Sequence, residues 1–339
     1  MNVFELTRAM VDIESITNNE ERVGNFLFDL LSPLAARFDG HVERIAVEPR
    51  RFNVFAQWGN ELAVTLSTHM DTVPPFFASR EDGEHIWGRG ACDAKGIVAC
   101  MIHAAEALLS SGQRNIGLLF VVGEERNSAG AYRAAGTPRG SRYIVNGEPT
   151  GNRLALGSKG ALRYEVAATG KMAHSAYPEL GDSAIHKLID ALAEIRRLAL
   201  PVDELLGPST LNIGTLSGGR APNVIADDAR AEILIRLVGD SAATKAALAR
   251  AVGDRAELRE VIEIPAVRLH AVDGVGTTVV AYTTDIPAFG GQWGEPFLLG
   301  PGSIHVAHTL EERVAKRELS EAVELYQRIV RQLCKRVSK

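Results

Sequence analysis

Three cysteines in 339 residues, Cys92, Cys100 and Cys334, are too few and too odd in number for a disulfide framework. None sits in a CxxC spacing, so the thiols read as reduced and the setting as cytoplasmic. Long hydrophobic runs are missing as well, since no stretch reaches the roughly 18 to 20 apolar residues of a membrane span. The opening MNVFELTRAMVDIES carries Glu5, Arg8 and Asp12 inside its apolar pattern, which is unlike a signal peptide. There is no basic excess: 37 Lys and Arg face 42 Asp and Glu, a net charge of −5 without blocks of either sign. That excludes an electrostatic footprint for nucleic acid or anionic lipid. A phosphate-binding GxxxxGK[ST] loop and a GxSxG elbow are both absent, and LSGGR at Leu216 has no phosphate loop to serve. Repeats, low-complexity tracts and long linkers are lacking too. What is present, 46% hydrophobic and 23% charged residues, is the composition of a globular protein of one large domain or two.

Apolar spacings near three and four predict helices at 3–11 and 23–36, the second with a possible break at Pro33. Short apolar runs predict strands at 62–68, 116–122 and 143–145. Between the first two lies AKGIVACMIHAAEALL (94–109), a helix with Asp93 as its expected cap and an end near Gly112. Strands separated by helices imply an α/β fold, a mostly parallel sheet with helices on both faces. From about Gly157 the texture changes: strands at 163–168, 211–215 and 229–237 and helices at 183–200 and 242–252 give a βαββαβ-like inserted α+β layer. A strand at 278–282 and a long helix at 310–337 then return to the first domain. The expected division is 1–155, 156–264 and 265–339.

Polar residues gather at the carboxyl ends of the predicted strands: His69 and Asp71, Glu124 and Glu125, and Glu148. Asp93 opens the intervening helix at the same edge. In an open parallel sheet ligands bind at that rim, so these residues converge. Singly, an Asp before a helix is a cap and a Glu pair is a solvated turn. Together, one imidazole and up to five carboxylates need a cation, and their ligand chemistry suits zinc, with cobalt or manganese as substitutes. A second histidine is available in GPGSIHVAHTLEE, as His305 or His308.

The strings THMDTVP, WGRGACDAKG, VVGEERNSAGA, NGEPT and GPGSIHVAHTLEE, in that order, resemble the M20 family of dizinc amidohydrolases and peptidases. That family includes acetylornithine deacetylase and succinyl-diaminopimelate desuccinylase. The resemblance implies two zinc ions bridged by Asp93, one completed by His69 and Glu148, the other by Glu125 and His308. His308 is preferred to His305 because AHTLEE is the closer match to the family's AHxxxE pattern. The resemblance also implies Glu124 as general base, since residue type alone does not separate it from Glu125. Asp71, two residues from His69, is expected to hold its imidazole. GKMAHSAYPELGDSAI looks like the start of the family's lid and dimerisation domain. By resemblance His174 reaches an active site to stabilise the oxyanion, and Asn223 contacts ligand. Lys159 and Arg163 are candidates for a substrate carboxylate, and the backbone of Gly300 and Gly302 for contact with substrate.

His41, His85, His103, His186 and His270 read as structural or exposed, and Cys92, without a histidine partner, as packing. The expected activity is metal-dependent hydrolysis of an N-acyl amino acid by a homodimer joined through the lid. The nearest expectation is an acetylornithine-deacetylase-like enzyme; a desuccinylase or dipeptidase is the alternative, and a non-catalytic metal-binding module the reading from another class. The compact loop 74–87 leaves the acyl group open.

Overall fold

The computed structural model describes residues 1–337 and divides into two compact units, residues 1–156 with 269–278 and 284 onward, and residues 157–268 with 279–283. The first opens with helix α1 (Val3–Val11), whose Asn2 side chain accepts from the amides of Phe4 and Glu5 while the Glu5 carboxylate accepts from the Asn2 amide. Helix α2 (Glu21–Arg37) follows. It runs through Pro33, an exposed residue, without breaking. Strands β1 (His41–Glu48) and β2 (Arg51–Trp58) form an antiparallel pair that the hydrophobic pattern does not announce. Then come β3 (Val64–His69), α3 (Lys95–Ser110), β4 (Ile116–Val121), α4 (Ala129–Ala135) and β5 (Tyr143–Asn146).

The second unit contains β6 (Gly160–Thr169), α5 (Ala184–Arg196), β7 (Thr210–Gly218), β8 (Asp228–Leu237), α6 (Ala242–Val252) and β9 (Glu257–Ile264). Its antiparallel sheet has the order β7-β8-β6-β9. Alternation is clean: Leu162, Tyr164, Val166 and Ala168 of β6 and Ala229, Ala231, Ile233 and Ile235 of β8 are buried with apolar side chains of α5 and α6. The opposite face carries charges such as Arg163, Glu165 and Arg259.

Returning to the first unit, the chain forms α7 (Ile286–Phe289), β10 (Glu295–Leu298) and α8 (Lys316–Val337). The six-stranded sheet there has the order β1-β2-β4-β3-β5-β10; the last four are mutually parallel, and β1 and β2 make an antiparallel edge. Every residue of β3 and β4 is buried, as expected for parallel strands covered on both faces. Leu118 and Phe120 join the core that holds α1, α2, α3 and α8. Leu119 and Val121 pack on the other side with Ala131, Ala134, Phe289 and Trp293, whose indole donates to the Ala134 carbonyl. The fold class is therefore α/β with a mostly parallel central sheet. Among the described residues no helix is long and apolar enough to cross a membrane.

Three local expectations are corrected. Asp93 does not cap α3: Ala94 occupies that position without a side-chain hydrogen bond, and the Asp93 carboxylate turns instead to His69 and His308. The helical pattern from Leu310 starts as helix only at Lys316, because Arg313–Ala315 is held extended by pairing with His85–Trp87. The strand expected at 278–282 lies at Thr277–Val280.

Candidate metal centre

Because β4, β3, β5 and β10 are parallel neighbours, the segments leaving them share one rim. His69 ends β3, Glu124 and Glu125 follow β4 after Gly123, Glu148 follows β5 after Gly147, and His308 lies in the turns beyond β10. The segment before α3 adds Asp93, the middle of the group. One Asp93 oxygen is 2.9 Å from His69 Nε2 and the other is 3.4 Å from His308 Nε2. His308 Nε2 is also 2.9 Å from Glu125. Two ligand sets result, His69 with Asp93 and Glu148, and Asp93 with Glu125 and His308, each with ligand atoms within 4.8 Å of one another. Asp93 belongs to both. Glu124 belongs to neither. Among the described residues His308 belongs to one of the two sets and His305 to neither. The backbone at His308 has φ +63°, a left-handed conformation sustained only where surroundings demand it.

The second layer orients the first. His69 Nδ1 lies 3.0 Å from the Asp71 carbonyl oxygen, which fixes the proton on Nδ1 and leaves Nε2 to face a metal. The Asp71 carboxylate, 3.5 Å from that ring, has a larger task than the sequence suggests. It accepts from the amides of Gly123, Glu124 and Glu125 at 3.0, 3.1 and 3.3 Å and from the Thr17 hydroxyl at 2.7 Å. It thereby shapes the turn that presents Glu124 and Glu125. Asp71→Asn retains size but sets an amide nitrogen among these donors. It should weaken metal binding by about 10- to 100-fold, read by competition with a chromophoric chelator; parental affinity would contradict this role.

The electrostatics call for a cation. Burial and the neighbouring Glu148 raise Glu124 well above the usual carboxylate range; burial and Asp93 do the same to Glu148. Burial raises Glu125 too, with His308 opposing. Burial alone would push His69 down, but Asp71 and Asp93 carry it well above its usual value. Hydrogen bonds to Asp93 and Glu125 push His308 up to about 10. One buried Glu148 oxygen has no hydrogen-bond partner. Protonated histidines thus partly compensate these carboxylates, the arrangement expected of ligands for divalent metals. The imidazole and carboxylate donor set fits zinc, cobalt or manganese.

Other expected site residues fall out differently. Lys159 is buried, and its ammonium donates one hydrogen bond to the Pro208 carbonyl at 2.6 Å. Arg163 is half-exposed, 3.9 Å from Glu232, on the charged face of the second unit's sheet. A Cβ on Gly300 would lie 2.5 Å from the Glu148 carbonyl oxygen, and one on Gly302 would lie 2.5 Å from Cys92 Sγ. The chain's own packing therefore accounts for both glycines. His174 is exposed and bridges to Val224, while the Ser175 amide donates to the Asn223 carbonyl, so these two segments adjoin.

Four groups, Thr17 half-buried and the other three buried, escape the sequence reading. Thr17 supports Asp71, and Lys95 donates to the Ile13 carbonyl, its pKa pushed down to about 7 by burial. Glu312 accepts amides of the Asp93 loop. Asp285 is buried, and that burial raises it to about 7 against the opposing Ser128 side chain. Only Glu312 had a signal, as the last residue of AHTLEE.

A parallel sheet with paired ligand sets sharing one carboxylate at its rim defines a metal-dependent hydrolase. Residues 65–332 match the model of peptidase family M20/M25/M40. The chain is 38% identical to a peptidase M20 domain-containing protein of Schizosaccharomyces pombe, covering 97% of this chain and 84% of the relative. It is 34% identical to a probable carboxypeptidase of Arthroderma otae, over 97% and 85%. A tripeptidase from Staphylococcus aureus has the same fold, with a TM-score of 0.82 at 20% identity and 98% of each chain covered. The chain belongs to the M20/M25/M40 peptidase family, and it is a metallopeptidase, a hydrolase of C–N bonds.

Proposed function

We propose that this protein removes a terminal residue from short peptides or N-acyl amino acids that carry a free carboxylate, using two zinc ions with cobalt or manganese as substitutes. One observation carries the reading: two ligand sets share Asp93 while Glu124, at the same rim, belongs to neither. The name of the Arthroderma relative, a probable carboxypeptidase, and that of the Staphylococcus tripeptidase favour peptides over acetylornithine as first substrates to try. Bound at these residues, the metal pair supplies Lewis acidity that lowers the pKa of water and polarises a carbonyl. Glu124 then takes the water proton and passes it to the leaving amine. Its environment suits that task, since burial and Glu148 raise its proton affinity well above that of an ordinary carboxylate. By family resemblance His174 donates to the developing oxyanion and Asn223 contacts the substrate.

The test is hydrolysis across dipeptides, tripeptides, N-acetyl and N-succinyl amino acids, with C-terminal amides as controls. Chelator-sensitive cleavage of peptides with a free C-terminus, lost on amidation, is the expected result. Cleavage confined to acetylornithine or succinyl-diaminopimelate would replace the peptide reading by a deacetylase or desuccinylase. Metal binding without any hydrolysis would favour the binding-module reading.

We further propose a homodimer through the lid. Strand β7 ends its sheet, exposes Leu216 at 62%, and leaves one row of backbone groups unpaired. Ile189 of α5 is 51% exposed in the same unit. A second copy, paired about a twofold axis, would cover both. Light scattering should give twice the 36.5 kDa chain mass, and Leu216→Arg should halve it; a monomeric parent would contradict the dimer.

A further inference from the structure

We propose that the buried Arg89–Glu312 pair is a positioning device that ties the metal-bridging carboxylate of Asp93 to the segment 73–77 beyond the His69 strand. The inference rests on the reading of Asp93 as a metal ligand. Both side chains are out of solvent, 1% and 0% exposed, and Arg89 Nη1 lies 2.6 Å from Glu312 Oε2. The other Glu312 oxygen accepts three amides of a single loop, from Gly90 at 2.9 Å and from Cys92 and Asp93 at 3.2 Å each. The Glu312 carbonyl accepts a fourth, from Gly88 at 3.1 Å. Residue 312 therefore holds the backbone from 88 to 93 from outside that loop, up to the residue whose carboxylate serves both ligand sets.

Arg89 extends the grip in the other direction. Its Nε donates to the Pro75 carbonyl at 3.2 Å, its amide donates to the Phe77 carbonyl at 3.1 Å, and its guanidinium lies 5.1 Å from the centre of the Phe77 ring. The segment 73–77 leaves the sheet rim directly after His69 and Asp71 and exposes Pro74 and Pro75. A planar fork suits this work because one guanidinium serves Glu312 and Pro75 together, which an ammonium does not. Glu312 is four residues beyond the His308 ligand. The pair therefore joins the segments that carry Asp93, His308 and the rim next to His69.

A buried ion pair is a poor source of net stability, since desolvation of both charges offsets their attraction. Placement at the bridging ligand gives this pair a different use, and it predicts effects on metal affinity and on KM that separate. In Glu312→Gln the shape is kept, but an amide nitrogen or a weaker acceptor faces the three amides. In Arg89→Lys the charge is kept and the fork is lost.

The experiment is zinc competition against a chromophoric chelator on the metal-stripped full chain, with near-ultraviolet circular dichroism and steady-state kinetics on the reloaded protein. Glu312→Gln should bind zinc roughly 10- to 100-fold more weakly while retaining the parental dichroism. Arg89→Lys should keep zinc affinity within about twofold and raise KM about tenfold at nearly constant kcat. If Glu312→Gln does not fold, the double variant Arg89→Met with Glu312→Gln, which leaves no unpaired buried charge, should show the same weakening of zinc. A folded Glu312→Gln chain, or the folded double variant, with parental zinc affinity overturns the proposal, as does an Arg89→Lys chain with parental KM. A parent chain that binds no zinc overturns the metal reading itself and this inference with it.

Discussion

Glu124→Gln should lower kcat by about 10²- to 10⁴-fold while two zinc ions stay bound. The amide is nearly isosteric with the carboxylate and cannot take a proton from water, and Glu124 stands outside both ligand sets. Glu125→Gln is the informative neighbour, because its carboxylate shares a ligand set with Asp93 and His308. That variant should lose metal before it loses chemistry. The two are separated by measuring zinc content and kcat on the same sample: low kcat with full metal for Glu124→Gln, low kcat with depleted metal for Glu125→Gln. The opposite pairing would exchange their roles, and an active Glu124→Gln enzyme would remove the base assignment altogether.

Removing the metal should destabilise the chain, and more so as pH rises. At free zinc a thousandfold above Kd, each site contributes about 4 kcal/mol to the folded state. The sign of the pH dependence follows from the groups that the metal would neutralise. His308 is raised from 6.5 to about 10 by Asp93 and Glu125. In the metal-free chain its ion pairing is fully present below pH 6.5 and fades as pH rises through about 10. Glu124 and Glu148 are raised as well, by burial first, so their ionisation penalises the metal-free fold above the ordinary glutamate range. The carboxylate effect lowers metal-free stability from the ordinary glutamate range upward and the His308 effect from about pH 6.5 upward, while zinc binding displaces these protons and strengthens as they are lost. The difference in Tm between zinc-loaded and metal-free protein should therefore widen from pH 6 to pH 9. A constant or shrinking difference would contradict the assignment of these groups to the metal centre.

The parts of the fold that were legible in the sequence are those with a strong local signal. The apolar run of β4 and the pattern of α3 are nearly continuous because both elements are enclosed, and continuous burial leaves an unmistakable trace. Strand β1 left none, since it lies at the sheet edge with most residues partly or fully exposed. Asp93 looks like a cap from its neighbours alone; it takes His69, 24 residues earlier, and His308, far later, to turn its carboxylate elsewhere. Glu124 and Glu125 are indistinguishable as letters, and it is the three amides on Asp71 that set the turn in which they differ. Lys159 illustrates the converse: a basic residue near a motif reads as a substrate contact, and only the fold supplies the Pro208 carbonyl that accepts from it. The Arg89–Glu312 pair spans 223 positions, and no local pattern connects its halves.

The central claim is that hydrolysis requires metals held by His69, Asp93, Glu148, Glu125 and His308. Its most direct test is to strip the full chain with chelator, titrate zinc back, and record peptide hydrolysis against zinc bound per chain. The account predicts no turnover in the stripped protein and activity that reaches its plateau as a second equivalent binds. Full activity in the stripped protein, or a plateau reached with no zinc bound, would contradict it.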